Sequence, residues 1–112
     1  MYFDEILTKE ELQKIYRELA KTNHPDLGGR KNVMQKLNEE YSYLLKNFKT
    51  TPSSFRELQR GNHVFVNGSK CTVVEVDEKL FKAKSIRSKR EALFDKSTGY
   101  GLFNFKIRAT LN

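Results

Sequence analysis

The chain has 112 residues, with 21 Lys and Arg against 14 Asp and Glu (net charge +7), 38% hydrophobic and 31% charged residues, and one cysteine. That is room for one ordinary domain or two very small ones, which excludes a large multidomain enzyme. Cys71 alone forbids an internal disulfide, Cys71 with His24 and His63 is too small a set for a zinc site, and no apolar run approaches the length of a membrane span.

Met1-Tyr2-Phe3-Asp4-Glu5 is acidic where a signal peptide is basic, so the expectation is an intact cytoplasmic protein. Thr8-Lys9-Glu10-Glu11 reads as a capping box, with the Thr8 hydroxyl accepting from the Glu11 amide and the Glu11 carboxylate reaching back to the Thr8 amide. Leu12, Ile15, Tyr16, Leu19 and Ala20 then recur at helical spacing and form one buried stripe. Asn23 and Pro25 end the pattern, because the residue before a proline is pushed out of the helical region. After a loop through Leu27-Gly28-Gly29-Arg30, a second helix is predicted from about Asn32. Its stripe is Val33, Met34, Leu37, Tyr41, Leu44, Leu45 and Phe48. Two helices on so short a connection predict an antiparallel hairpin with facing apolar stripes.

Beyond Thr50-Thr51-Pro52-Ser53-Ser54 the period changes from helical to alternating. Strands are predicted near 62–66, 70–76, 80–86, 91–95 and 102–109, the first two joined by an Asn67-Gly68 hairpin turn. In the last, Phe103, Phe105 and Ile107 are expected to face one way and Asn104, Lys106 and Arg108 the other. The expected organisation is therefore α+β: a helical hairpin over 1–49, then a small antiparallel sheet or barrel over 50–112, SH3-like or OB-like. The stretch between them is too short to be a flexible linker, which predicts that the modules touch. Charge divides with them: residues 1–50 carry nine basic against eight acidic side chains (+1), residues 51–112 twelve against six (+6). A basic second half makes nucleic acid or an acidic protein face its expected partner class.

The most informative residues are His24-Pro25-Asp26, between the two predicted helices. With Tyr16-Arg17-Glu18-Leu19-Ala20 before them, and Leu27-Gly28-Gly29, Met34, Leu37, Asn38-Glu39, Tyr41 and Leu44 after, the segment over about 2–48 resembles the J-domain of DnaJ-type co-chaperones. That resemblance implies docking on a DnaK-type ATPase chaperone and stimulation of its ATP hydrolysis, with no chemistry performed by this chain and no cofactor. It also implies that His24, Pro25 and Asp26 form the stimulating loop and that Lys14, Arg17 and Lys21 form a basic docking face. Glu18, Thr22, Asn23 and Leu27 depart from the family pattern in a direction that lowers partner affinity. The glycine loop and compact third helix are similar to the abbreviated J-domains of viral and mobile-element proteins.

In the second half, Thr98-Gly99-Tyr100-Gly101-Leu102-Phe103-Asn104-Phe105 resembles the RNA-binding strand of RRM and cold-shock domains, with Thr98 in place of a basic residue. That likeness implies base stacking on Phe94, Tyr100 and Phe103 or Phe105, with Lys89, Arg90, Lys96, Lys106 and Arg108 holding phosphates. The competing expectation is a glycine-flanked hairpin turn with phenylalanines in the core, and the lack of two helices in this half favours it.

Nothing points to an enzyme. No glycine-rich stretch ends in Gly-Lys-Ser/Thr, no serine sits on a nucleophile elbow, and a His24–Asp26 pair in an exposed loop lacks a water-excluding pocket. The leading expectation is a J-domain co-chaperone-like protein whose β-module binds an unidentified client, without membrane association. The alternative is a nucleic-acid-binding or regulatory protein, such as a phage or mobile-element factor that binds a host protein.

Overall fold

The computed structural model describes residue 3 and residues 6–23, 31–104 and 106–111. Two helices, α1 (Lys9–Asn23) and α2 (Lys31–Lys49), precede five strands, β1 (His63–Val66), β2 (Ser69–Val76), β3 (Leu80–Ser85), β4 (Glu91–Asp95) and β5 (Ala109–Thr110). None of the described helices is long and apolar enough to cross a membrane.

α1 starts where the capping box places it. The Thr8 hydroxyl accepts from the Glu11 amide at 3.2 Å, and the return contact runs from the Thr8 hydroxyl to the Glu11 carboxylate at 3.3 Å. At the other end Asn23 Nδ2 donates to the Leu19 carbonyl at 2.9 Å, satisfying one of the last-turn carbonyls that a helix leaves unpaired. Tyr16 of α1 stacks on Tyr41 of α2 with ring centroids 4.0 Å apart and donates to Asn38 Oδ1 at 2.6 Å. These contacts, across a connection of only residues 24–30, make the pair an antiparallel hairpin. Its core is Phe3, Leu12, Leu37 and Leu44, flanked by Ile6, Ile15, Leu19, Met34, Leu45 and Phe48.

The strands form one antiparallel sheet in the order β4-β3-β2-β1-β5. Asn67 and Gly68 join β1 to β2 with φ of 52° and 81°, the left-handed pair that a two-residue hairpin turn requires. A register shift between Val73 and Glu75 bends β2 and curls the sheet into a half-barrel. Inside lie Leu58, Val64, Cys71, Val73, Phe81, Ala83, Phe94 and Ala109, with Phe55, Phe81 and Phe94 stacked in sequence at centroid distances of 5.7 and 5.3 Å.

Among the described residues, the predicted strand over 102–109 is reduced to its end: Ala109–Thr110 pairs with β1, Phe103 is 85% exposed rather than inward-facing, and Phe105 lies outside the described residues. The reason is Gly101. Its amide donates to the Ile107 carbonyl at 3.0 Å, and a Cβ there would lie 2.7 Å from the Ile107 side chain and 2.5 Å from the Asn104 carbonyl. The chain therefore folds back on itself between 101 and 107 instead of extending. On either side, bridges Phe94↔Gly101 and Tyr100↔Arg108 tie the β4 edge to the segment that leads into β5. The two edges of the half-barrel are thereby connected.

The modules do touch, through groups that are polar as well as buried. Asn47, Asn62 and Thr72 are the buried polar residues among those described, and all three lie at the junction. The Thr72 hydroxyl donates to the Leu7 carbonyl at 2.7 Å, so the outward face of β2 is covered by the segment before α1. Arg60 donates to Glu40 Oε1 at 2.8 Å and to the Phe3 carbonyl at 3.3 Å, while the Phe3 amide donates to Glu40 at 3.3 Å. The result is an elongated molecule of 52 × 26 × 22 Å with a radius of gyration of 15.6 Å. A compact chain of this length has about 13 Å, so the two modules lie end to end.

His63, opposite Thr72 on the outward face of the β1–β2 hairpin, packs against Phe48 with ring centroids 5.6 Å apart. Burial, helped by the nearby Lys70 charge, lowers its pKa from 6.5 to about 4, against a hydrogen bond to the Leu7 backbone that pulls upward. Because the folded state resists protonation more than the unfolded state does, this contribution to stability is complete above about pH 6.5 and lost as the pH falls toward 4. Thermal melts are expected to shift down between pH 7 and 5, and His63→Gln to flatten that dependence; an equal shift in the variant excludes His63 as its source.

Candidate functional site

Two surfaces carry the residues that the sequence singles out. The first is on α1, where Leu12, Ile15, Tyr16 and Leu19 turn toward α2 and leave Lys14, Arg17 and Lys21 on the opposite face, all three exposed. Their spacing puts them on one stripe, with Glu10 and Glu18 exposed beside it. The stripe is therefore a mixed-charge face with a cationic surplus, and it ends at Asn23, next to His24-Pro25-Asp26. Those three residues, with Leu27, Gly28 and Gly29, lie outside the described residues.

The second surface is one end of the half-barrel. Because the strands are antiparallel, the Asn67-Gly68 turn, the β3–β4 turn over 86–90 and the 102–108 excursion come to the same end. Arg87, Lys89, Arg90, Lys106 and Arg108 sit on these segments, every one exposed, and the segments contain no Asp or Glu. The Arg108 guanidinium lies 5.1 Å from the centroid of the Tyr100 ring, a cation–π contact on a ring that is 41% exposed. Phe103 stands at the tip of the excursion. A groove of about 420 Å³ opens at this end, lined by Val66, Cys71, Ala83, Phe94 and Ile107 with Arg90 and Glu91 among its polar lining. Burial pushes the Cys71 thiol pKa up, so the sulfur stays protonated and contributes a small apolar surface to the groove rather than a nucleophile.

Lys96 does not join this group. It belongs to the opposite end, where its amide donates to the Lys79 carbonyl at 2.9 Å and its side chain lines a groove with Arg56, Glu78 and Asp95. There Asp77 accepts from the backbone amides of Leu80 and Lys79, and Asp95 from the hydroxyl and amide of Ser97. These hydrogen bonds hold both carboxyls below the usual carboxylate range and mark tight turns. Phe94 is also not a surface aromatic: it is 1% exposed and stacked on Phe81.

The chain matches no protein-family model, no curated protein and no solved structure. Its candidate surfaces are therefore defined by their own chemistry. Of the residues that the sequence singles out, Lys89, Arg90, Tyr100, Lys106 and Arg108 are exposed at the surface, and so is Arg87 of the basic run Ile86-Arg87-Ser88-Lys89-Arg90-Glu91.

Proposed function

We propose that this protein is a J-domain-like co-chaperone: its helical hairpin docks on a DnaK-type ATPase chaperone and stimulates ATP hydrolysis, while the β-module holds the client. The observation that supports this most directly is the exposed Lys14, Arg17 and Lys21 stripe on the helix that leads into His24-Pro25-Asp26. A cationic stripe steers an acidic partner surface and sets the register of docking. Proline then fixes the backbone of the loop, and the imidazole and carboxylate offer directional hydrogen bonds to the ATPase.

Single-turnover ATPase assays with a DnaK-type chaperone test the reading. The wild-type chain is expected to accelerate hydrolysis, and His24→Gln to abolish the acceleration while its melting temperature stays unchanged. Arg17→Glu is expected to raise the concentration needed for half-maximal stimulation, by a factor that shrinks as salt screens the contact. No stimulation of any DnaK-type partner by the wild-type chain refutes the proposal.

A further inference from the structure

The cationic end of the half-barrel has a use that the co-chaperone reading does not require. We propose that this end binds single-stranded nucleic acid, with bases stacking on Phe103 and Tyr100 and phosphates held by Arg87, Lys89, Arg90, Lys106 and Arg108. This inference stands on the β-module alone and does not depend on whether the hairpin engages a chaperone.

The distribution of charge carries the argument. The second half of the chain has a surplus of +6, and five of its twelve cations fall on two segments that meet at one end, where the exposed Glu91 beside Arg90 leaves a clear cationic excess. At the other end the 77–79 and 96–98 turns hold Asp77 and Glu78 against Lys79 and Lys96, which balance. A merely soluble surface intersperses the two signs, whereas a field concentrated at one end complements a polyanion.

The aromatic residues specify which polyanion. A phosphate-only partner such as duplex DNA offers no exposed base face, and a basic patch alone suffices for it. Here a phenylalanine that is 85% exposed stands among the cations, and an exposed tyrosine ring already carries an arginine over its face. Unpaired bases present their π-faces to such rings, and stacking accepts any base. The backbone holds the platform in place before a ligand arrives. Leu102 donates to the Leu93 carbonyl at 2.8 Å, Gly101 to Ile107 at 3.0 Å, and the Lys106 amide to Asn104 Oδ1 at 3.0 Å, so the excursion that presents Phe103 is pinned at both ends. An anionic membrane satisfies the charges but supplies no flat π-face to the Tyr100–Arg108 pair.

Fluorescence anisotropy of the full chain with labelled oligouridylate and oligothymidylate of about fifteen nucleotides tests this, and the tighter of the two identifies RNA or DNA as the ligand. Saturable binding is expected to weaken about ten- to a hundredfold between about 50 and about 200 mM salt. Phe103→Ala, which removes almost no core contact, is expected to lose about five- to a hundredfold in affinity, with Phe103→Tyr retaining most of it. Arg90→Gln and Arg108→Gln are each expected to flatten the salt dependence by about 0.7 in log–log slope. The proposal is overturned by absence of saturable binding to both oligonucleotides, by equal or tighter binding of a duplex of the same length, by an unchanged affinity in Phe103→Ala, or by co-sedimentation with phosphatidylglycerol vesicles in a chain that ignores the oligonucleotides.

Discussion

Phe81→Ala is expected to destabilise the protein by about 3–5 kcal/mol, the usual range for truncating a buried phenylalanine, and at that size to leave the β-module unfolded at physiological temperature. Phe81 is 1% exposed and is the middle ring of the Phe55–Phe81–Phe94 stack. Its neighbours cannot collapse into the vacancy, because Phe94 is held by the β3–β4 pairing and Phe55 sits against the backbone at Gly99, where even a Cβ would come within 3.0 Å of its ring. Denaturant titrations followed by near-ultraviolet circular dichroism measure the loss. Phe81→Leu, which keeps most of the volume, should cost less than half as much. If the two variants melt alike, the ring stack is not what supports this core.

Asn62→Ala is expected to cost about 2–4 kcal/mol although it deletes only a small polar group. Asn62 is 3% exposed and uses every polar atom of its side chain. Its Nδ2 donates to the carbonyls of Asn47 at 3.0 Å and Thr50 at 3.2 Å, and its Oδ1 accepts from the Gln59 amide at 2.7 Å. The Asn47 carbonyl belongs to the last turn of α2, where intrahelical donors run out, so the β-module finishes the C-terminus of a helix in the other module. Truncation strands the part-buried Gln59 amide and Thr50 carbonyl and leaves the Asn47 carbonyl only a 3.4 Å bond from the Thr50 amide, and a buried group that loses its partner costs about 1–3 kcal/mol. Hydrogen exchange is the discriminating measurement: in Asn62→Ala the last turn of α2 and the 59–62 segment should lose protection together. Loss confined to 59–62 would mean that the helix end does not depend on the contact.

Much of the fold is legible in the residues because it is set locally. Thr8 and Glu11 start α1, the spacing from Leu12 to Leu19 orients it, and Asn67-Gly68 turns β1 into β2. What escaped local reading depends on partners far along the chain. Asn47, Asn62 and Thr72 look like surface residues until the other half buries them, and Thr72 finds its acceptor, Leu7, 65 positions away. The alternation of Phe103, Phe105 and Ile107 has the period of a strand, but the close approach of Gly101 to Ile107 overrides it and sends Phe103 into solvent. The candidate surfaces divide the same way. Lys14, Arg17 and Lys21 share a face because of helical spacing, which a sequence displays directly. The clustering of Arg87, Lys89 and Arg90 with Lys106 and Arg108, and the separation of Lys96 from them, follow from strand order, which it does not.

The segment before α1 bears on how such a chain can be recombined. Phe3 is in the core of the helical hairpin and bonds to Arg60, while the Leu7 carbonyl is the acceptor for Thr72 of the β-sheet. The segment before α1 thus completes its contacts only once Arg60 and β2 are in place. A cut at residue 50 divides the chain at its change of period but leaves Leu7 without its donor and the end of α2 without Asn62. The two halves therefore cannot be exchanged as cassettes: a graft of either onto another protein has to bring a matching junction with it.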